Sequence, residues 1–177
     1  NKLTVIIACI GLIIAVIYPL TKRFFELPQV FLGLAFSWGI LMVSAAELDK
    51  ISSTSLIMFS ACFFWIMAYD TAYAMSDREG DLSIGLKSSA ITFGKYSQKL
   101  IITFHLISLC LWSLSGFVEK INPIFYVSII ICLVLVFFQF LLIKDENPEN
   151  CFTAFKRNNW IGISILLGTI FSSILEI

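Results

Sequence analysis

Tyr69-Asp70-Thr71-Ala72-Tyr73-Ala74-Met75-Ser76-Asp77-Arg78-Glu79-Gly80-Asp81 closes an apolar run that begins near Thr54 and ends in a row of carboxylates. Residues three or four apart share a helix face. A helix continued through this stretch sets Asp70, Tyr73, Asp77 and Asp81 on one stripe about 16 Å long. The run before it has the composition of a membrane-spanning segment, so the acids fall at the membrane surface, where ionisable groups are costly and usually functional. Magnesium prefers oxygen ligands, often one or two carboxylates plus substrate phosphates. It would relieve the repulsion and recruit a phosphorylated ligand. The stripe reads as a metal-diphosphate site.

The surrounding chain has the composition of a membrane protein. Of 177 residues, 59% are hydrophobic and 14% charged, with a mean hydropathy of +0.93, which excludes an ordinary soluble domain. Apolar runs lie at roughly Leu3 to Leu20, Val30 to Ala46, Thr54 to Tyr69, Leu100 to Val118, Ile124 to Ile143 and Trp160 to Leu175. A spanning helix needs about 20 mainly apolar residues. Two runs are slightly short, and flanking Ser, Thr, Tyr and Trp extend them at the interface. The expectation is an all-α polytopic membrane protein with six transmembrane helices in one domain.

Lysine and arginine orient it. Lys22, Arg23, Arg78, Lys87, Lys95, Lys99, Lys144, Lys156 and Arg157 come after the first, third and fifth spans, whereas Lys2, Lys50 and Lys120 lie on the other side. The positive-inside rule then puts the acidic stripe in the cytoplasm and both chain ends outside. Formal net charge is zero. The asymmetry between faces is what informs, and the basic groups suit lipid headgroups or phosphates rather than nucleic acid. Cys9, Cys62, Cys110, Cys132 and Cys151 have no pairing or zinc-like spacing and read as small apolar residues. No signal peptide is visible, and an opening on Asn1 leads us to expect a chain cut from something longer.

Outer connections at Glu47 to Ser53 and Glu119 to Pro123 are short, as in helical hairpins. The inner stretch Ala74 to Gln98 carries polar residues interrupted by Leu82, Ile84, Leu86, Ile91 and Phe93, and suits a short amphipathic helix on the bundle mouth. Lys144 to Pro148 reads as a turn, and Cys151 to Arg157 as one or two interfacial helical turns.

Asp77 and Asp81 form an i, i+4 pair able to aim two carboxylates at one metal. A solvated juxtamembrane face, partly neutralised by Arg78, is the competing reading for an isolated pair. Asp70, on the same stripe near the end of a span, tips the balance towards function. Tyr73 between them either donates to a phosphate oxygen or anchors the interface. Tyr18-Pro19-Leu20-Thr21-Lys22-Arg23 ends the first span on the same side. Its Tyr18 and Lys22 share a face if the helix runs through Pro19. Plain anchoring explains these cations equally well alone. Opposite a carboxylate stripe, they make the second wall of a diphosphate clamp, which Lys87 is placed to join. His105 lies alone in mid-span, where a buried helix–helix contact is the commoner role. Some of the 17 Phe and 4 Trp could stabilise a carbocation if they line a pocket.

These stretches carry a resemblance. Tyr18 to Arg23, Leu27 to Gly39, Tyr69 to Arg78, Ile84 to Ala90, Cys151 to Phe155 and Asn158 to Gly162, in that order, resemble the 4-hydroxybenzoate polyprenyltransferases of the UbiA superfamily over nearly the whole chain. The resemblance implies a nine-helix membrane enzyme with two Asp-rich motifs that hold magnesium and a prenyl diphosphate. Asp77 and Asp81 match the second motif. Tyr18 and Lys22 match a Tyr-x-x-x-Lys pattern that contacts diphosphate, and Arg23 the position that meets the aromatic acid's carboxylate. Gly80 stands where relatives often carry an acid. No Asn-Asp-x-x-Asp motif occurs, so the chain is expected to be the C-terminal two thirds of such an enzyme, inactive alone.

The activity expected from this resemblance is transfer of a polyprenyl group to the ring of 4-hydroxybenzoate in ubiquinone biosynthesis, at a bacterial or mitochondrial inner membrane. Asp70, Asp77, Asp81, Lys22 and Arg23 would be catalytic, with Asp77 and Asp81 holding Mg2+. Tyr18, Lys22, Arg23, Tyr73 and Lys87 would bind substrate. Two alternatives stand beside it. One is a related transferase for homogentisate, a naphthoate or haem; the other is a non-enzymatic ion carrier, which would need charged groups deep in several spans.

Overall fold

A computed structural model describes residues 1–175, as eight α-helices and one 3-10 turn. Helix α1 is Lys2–Thr21, α2 Pro28–Leu48, α3 Ser53–Ser76 and α4 Arg78–Ser83; α5 is Ser89–Phe93, α6 Ser97–Val118, α7 Phe125–Ile143 and α8 Pro148–Ile174. Gly94–Tyr96 forms the 3-10 turn before α6. Local chemistry sets many of the ends. The Asn1 side chain accepts from the Thr4 N–H, and Ser52 does the same for Ser55 at the start of α3. Pro28 and Pro148 open α2 and α8, where a missing N–H costs nothing, and Asn147 caps α8 by accepting from Glu149 and Asn150.

Among the described residues, five helical segments are long and apolar enough to cross a membrane: the four helices α1, α2, α3 and α7, and Ser89–Val118, which contains α6. The sixth span, expected at Trp160 to Leu175, falls on the second half of α8, which is not among them. The first half of α8 is the polar stretch Pro148 to Asn159, so the interfacial turns expected there are continuous with the rest of α8 rather than separate from it. The protein is polytopic, with α3 at its centre, packed against α2, α6 and α8, while α7 packs on α8 and α1 on α2.

Small residues let these helices approach. A Cβ on Gly168 of α8 would come within 2.6 Å of the Ser128 Cβ on α7. One apolar core, around Ala68, Ala72, Met75, Ile101, Ile143 and Ala154, lies beneath the inner mouth; a second, around Ala61, Trp112, Phe125 and Ile161, lies further out.

The two ends of the bundle, named inner and outer after the orientation expected from the charges, differ in what they carry. At the outer end the Asn1 amide donates to the Ala45 carbonyl at 2.6 Å, and the Thr54 hydroxyl donates to Glu119. The inner end gathers Lys22, Asp70, Arg78, Asp81 and Glu146.

Two expectations about local structure are corrected. The stripe is not one helix, because α3 stops at Ser76 and Asp77 (φ −109°, ψ 8°) is both its last cap and the start of α4. The inner stretch is not one amphipathic helix either: it is α4, α5 and the 3-10 turn. Gly85 (φ 72°) and Gly94 (φ 50°) break it, in a left-handed conformation that side-chain-bearing residues resist. Helix α1, by contrast, does run through Pro19 to Thr21, which puts Tyr18 and Lys22 on one face.

Candidate active site

Lys22 caps the inner end of α1, and its ammonium faces two acids, Asp70 on α3 and Asp81 on α4. Asp70 is half-buried in the last two turns of α3. Asp77 is exposed at the break. Asp81 is 3% exposed, one turn further on, its N–H donating to the Asp77 carbonyl at 2.9 Å. The break bends the stripe at Asp77 while this bond keeps α4 attached to α3. Gly80 gives the Asp77 carboxylate its room, since a Cβ there would lie 2.8 Å from Asp77 Oδ1.

A buried polar wall backs the acids. Gln29, 2% exposed at the start of α2, is the hydrogen-bonding neighbour of Asp70, and its Oε1 accepts from the Ser89 N–H at 2.9 Å. The Ser89 hydroxyl donates to Thr71 Oγ1 at 2.9 Å, and Thr71 donates to the Met67 carbonyl at 2.6 Å. The Lys87 N–H donates to the Lys22 carbonyl and the Leu86 N–H to the Asp81 carbonyl, both at 2.9 Å, so the loop after α4 is stitched to α1 and α4. Ser88 Oγ is buried, faces Asp81 and makes no hydrogen bond of ordinary geometry. Burial raises the Asp81 carboxyl above the usual carboxylate range; Lys22 pulls it back down, Asp77 pushes it further up, and Ser88 lowers it.

Tyr18 is half-buried and faces Asp70 and Tyr73. Tyr73 turns its ring towards α8, with centroids 5.1 Å from Phe155 and 6.3 Å from Phe152, while Tyr69 stands 5.8 Å from Phe155 and 5.4 Å from Trp65. An aromatic wall thus descends from the acids between α3 and α8. It ends at a cavity of about 320 Å³ lined by Trp65, Tyr69, Phe155, Lys156, Asn158 and Asn159. Arg23 is exposed at the same mouth, in the turn after α1.

Two cations go elsewhere. Lys87 pairs with Glu26 instead of reaching the acids. Arg78 donates to Glu146 at 2.9 Å, so it does not neutralise the carboxylates beside it in sequence. His105 is buried at α6 and faces Gln139 of α7, a helix contact as expected, with its Nε2 unpartnered among the described residues. All five cysteines are free.

Among the described residues no three acid, His or Cys side chains lie close enough to hold a metal by themselves. The donors that face one another are two or three carboxylates and an orphaned hydroxyl, all hard oxygen groups. That set fits magnesium, which keeps waters and takes phosphate oxygens, and does not fit a closed protein cage.

Sequence reasoning missed Gln29 and Ser88 as partners of the acids, Ser89 as the partner of Gln29, and Glu26 and Glu146 as partners of the cations. Gln29 carried a signal: an amide one residue inside the start of an apolar helix needs a buried partner. The two glutamates carried none, because their roles depend on loops meeting in space.

The chain belongs to the UbiA prenyltransferase family, whose description matches residues 1–161. It is 42% identical over 168 residues to a Coxiella burnetii (strain CbuK_Q154) protein named 4-hydroxybenzoate octaprenyltransferase, covering 95% of this chain and 58% of that protein. Proteins of the same name from Nitrosospira multiformis and Hahella chejuensis are 39% and 41% identical, with 96% of this chain covered in each case and 59% and 57% of the relative. The chain therefore spans a little under three fifths of the length of these curated relatives. Among solved structures, the apo structure of a UbiA homolog from Aeropyrum pernix K1 matches with a TM-score of 0.78 at 23% identity, over 94% of this chain and 62% of the other. That likeness shows a shared fold.

Proposed function

We propose that the protein of which these residues form part transfers a polyprenyl group from its diphosphate to the ring of 4-hydroxybenzoate, in ubiquinone synthesis. The observation that carries this reading is the approach of Lys22 to Asp70 and Asp81 at the inner, basic end of the bundle. The names of the relatives supply the acceptor and support a polyprenyl donor. Asp77 and Asp81 would hold magnesium, which when bound supplies Lewis-acid stabilisation of the departing diphosphate.

The chain's own groups do the rest. Lys22 meets the diphosphate from the α1 side and Tyr18 offers it a phenol hydrogen. As the allylic C–O bond breaks, negative charge moves to the diphosphate, so Lys22 interacts more strongly with the transition state than with the ground state. The prenyl tail runs down the wall of Tyr73, Phe155, Tyr69 and Trp65, whose ring faces suit the developing allylic cation. Attack by the aromatic ring beside its hydroxyl forms the new C–C bond, and the ring then gives its proton to the released diphosphate. Arg23 stands ready for the acceptor's carboxylate, and Asp70, held by Gln29, orients Lys22. Lys87, paired with Glu26, positions the loop through its N–H bond to the Lys22 carbonyl. The inner mouth faces the cytoplasm or the mitochondrial matrix.

An ion carrier is disfavoured because α1, α2, α6 and α7 have no charged side chain away from their ends. The test is prenyl transfer by the intact protein in membranes, with 4-hydroxybenzoate, homogentisate and a naphthoate offered in turn. Preference for 4-hydroxybenzoate with magnesium dependence is expected. Ion flux without any transfer would overturn the reading, and transfer to another acceptor alone would replace the substrate.

A further inference from the structure

Arg78 lies in sequence between the two motif acids, Asp77 and Asp81, where a cation would be expected to meet a diphosphate. Its guanidinium points the other way. Nη1 donates to Glu146 Oε2 at 2.9 Å, in the turn between α7 and α8, and Nη2 reaches the buried Ser97 hydroxyl at 3.4 Å, at the start of α6. Ser97 in turn donates to the Gly94 carbonyl at 2.7 Å. The second carboxylate oxygen of Glu146 is also taken, by Gln98 Nε2 at 3.1 Å, and the same amide reaches the Lys144 carbonyl at 3.2 Å. Arginine serves such a site because its fork makes several directed bonds at once, which a lysine cannot.

Isolated surface ion pairs contribute little, but a network of fixed, partly buried groups is different. Two features mark this one as more than surface decoration. Glu146 stands at φ 54°, left-handed and unfavourable for a residue with a side chain, a conformation that persists where surroundings over-determine it. Helix α4 is only six residues long, too short to hold itself, so its direction depends on what grips its ends. On one side the grip is the bond from Lys87 to the Lys22 carbonyl; on the other it is Arg78.

We propose that Arg78 is a positioning residue: its clamp on Glu146 and Ser97 ties the break after α3 to α6 and the α7–α8 turn, and so aims Asp77 and Asp81. This rests on the metal-diphosphate reading of those acids. A shift of about 1 Å at a reacting centre is enough to cost about a hundredfold in rate. Glu146, remote from the acids in sequence and bonded to Arg78 and Gln98, therefore governs the site through Arg78.

The test compares R78Q, E146Q and the double variant in the intact protein. Both single variants should raise the Mg2+ concentration needed for half-maximal transfer by about tenfold, the scale of losing a supporting contact to a metal ligand. The double variant should be no worse than the poorer single, because both changes break one linkage. Amide exchange over residues 78–86, measured without substrate or metal, should quicken in all three. If R78Q does not accumulate in the membrane, R78K takes its place, expected to keep the Glu146 contact, lose that to Ser97 and show a smaller rise in both readouts. Near-normal transfer in E146Q with R78Q inactive would make Arg78 a substrate contact and overturn the proposal, as would unchanged exchange in both singles. Should the wild-type protein transfer nothing, the site reading falls while the exchange result still decides the clamp.

Discussion

Lys22 and Arg78 are cations at the same mouth, and their surroundings are opposite. Lys22 faces Asp70 and Asp81 from across the bundle, on a different helix, and among the described residues it is the cation that acts on both acids. Arg78 is adjacent to Asp77 in the chain and is engaged by Glu146, Ser97 and, through Glu146, Gln98. The front of the inner loop keeps an unsatisfied excess of oxygen donors, including the orphaned Ser88 hydroxyl. The back is paired. On the proposed reading, a site that receives a divalent metal and a diphosphate needs that imbalance, and a paired surface behind it keeps the acids from relaxing towards the nearest cation.

The contrast breaks most visibly at the front. Asp81→Ala or Asp77→Ala should lower prenyl transfer by the intact protein about a hundredfold or more, the scale of removing one group that stabilises developing charge, with membrane insertion unchanged. Wild-type turnover in either would remove the metal assignment. Lys22→Gln should cost about tenfold and show mainly in kcat, with Lys22→Arg recovering part of it. A loss confined to the diphosphate KM would mean that Lys22 binds the ground state as strongly as the transition state.

Gln29→Leu strikes the wall behind the acids. It leaves the buried Ser89 N–H without a partner and takes the amide from Asp70, so a stability loss of about 1–3 kcal/mol is expected in detergent melts, larger than its direct effect on binding. Unaltered melting would show that water replaces the amide.

The smallest effect sharpens the comparison from the opposite direction. Burial favours neutral Asp81, so its ionised form opposes folding of the metal-free protein. That penalty is full above its raised pKa, fades as pH falls through it, and is gone below the ordinary value of 3.8. Asp81→Asn should therefore raise the metal-free melting temperature slightly at neutral pH and give no gain below pH 3.8. A neutral-pH loss would mean that Lys22, which lowers the Asp81 pKa, outweighs burial.

Much of this was legible one residue at a time. Apolar runs, caps such as Ser52 and Asn147, and the prolines that open α2 and α8 are local signals, and helical spans result from them. The acids and Tyr18, Lys22 and Arg23 were legible because ionisable groups at the end of a span need a reason to be there. The break at Asp77 was not, since its i, i+4 spacing fits a continuous helix and only the packing of α4 against its neighbours bends it. The partners of Lys87 and Arg78 were not legible for the same reason: Glu26 and Glu146 lie 61 and 68 residues away from them.

Composition and spacing by themselves determined that this chain is a helical membrane protein with carboxylates and cations gathered at one basic end, because hydropathy and periodicity act over a few residues. Which cation meets which acid was decided only by the tertiary structure. Charges choose partners by distance in space, and the folding of loops onto α1, α6 and α8 sets those distances.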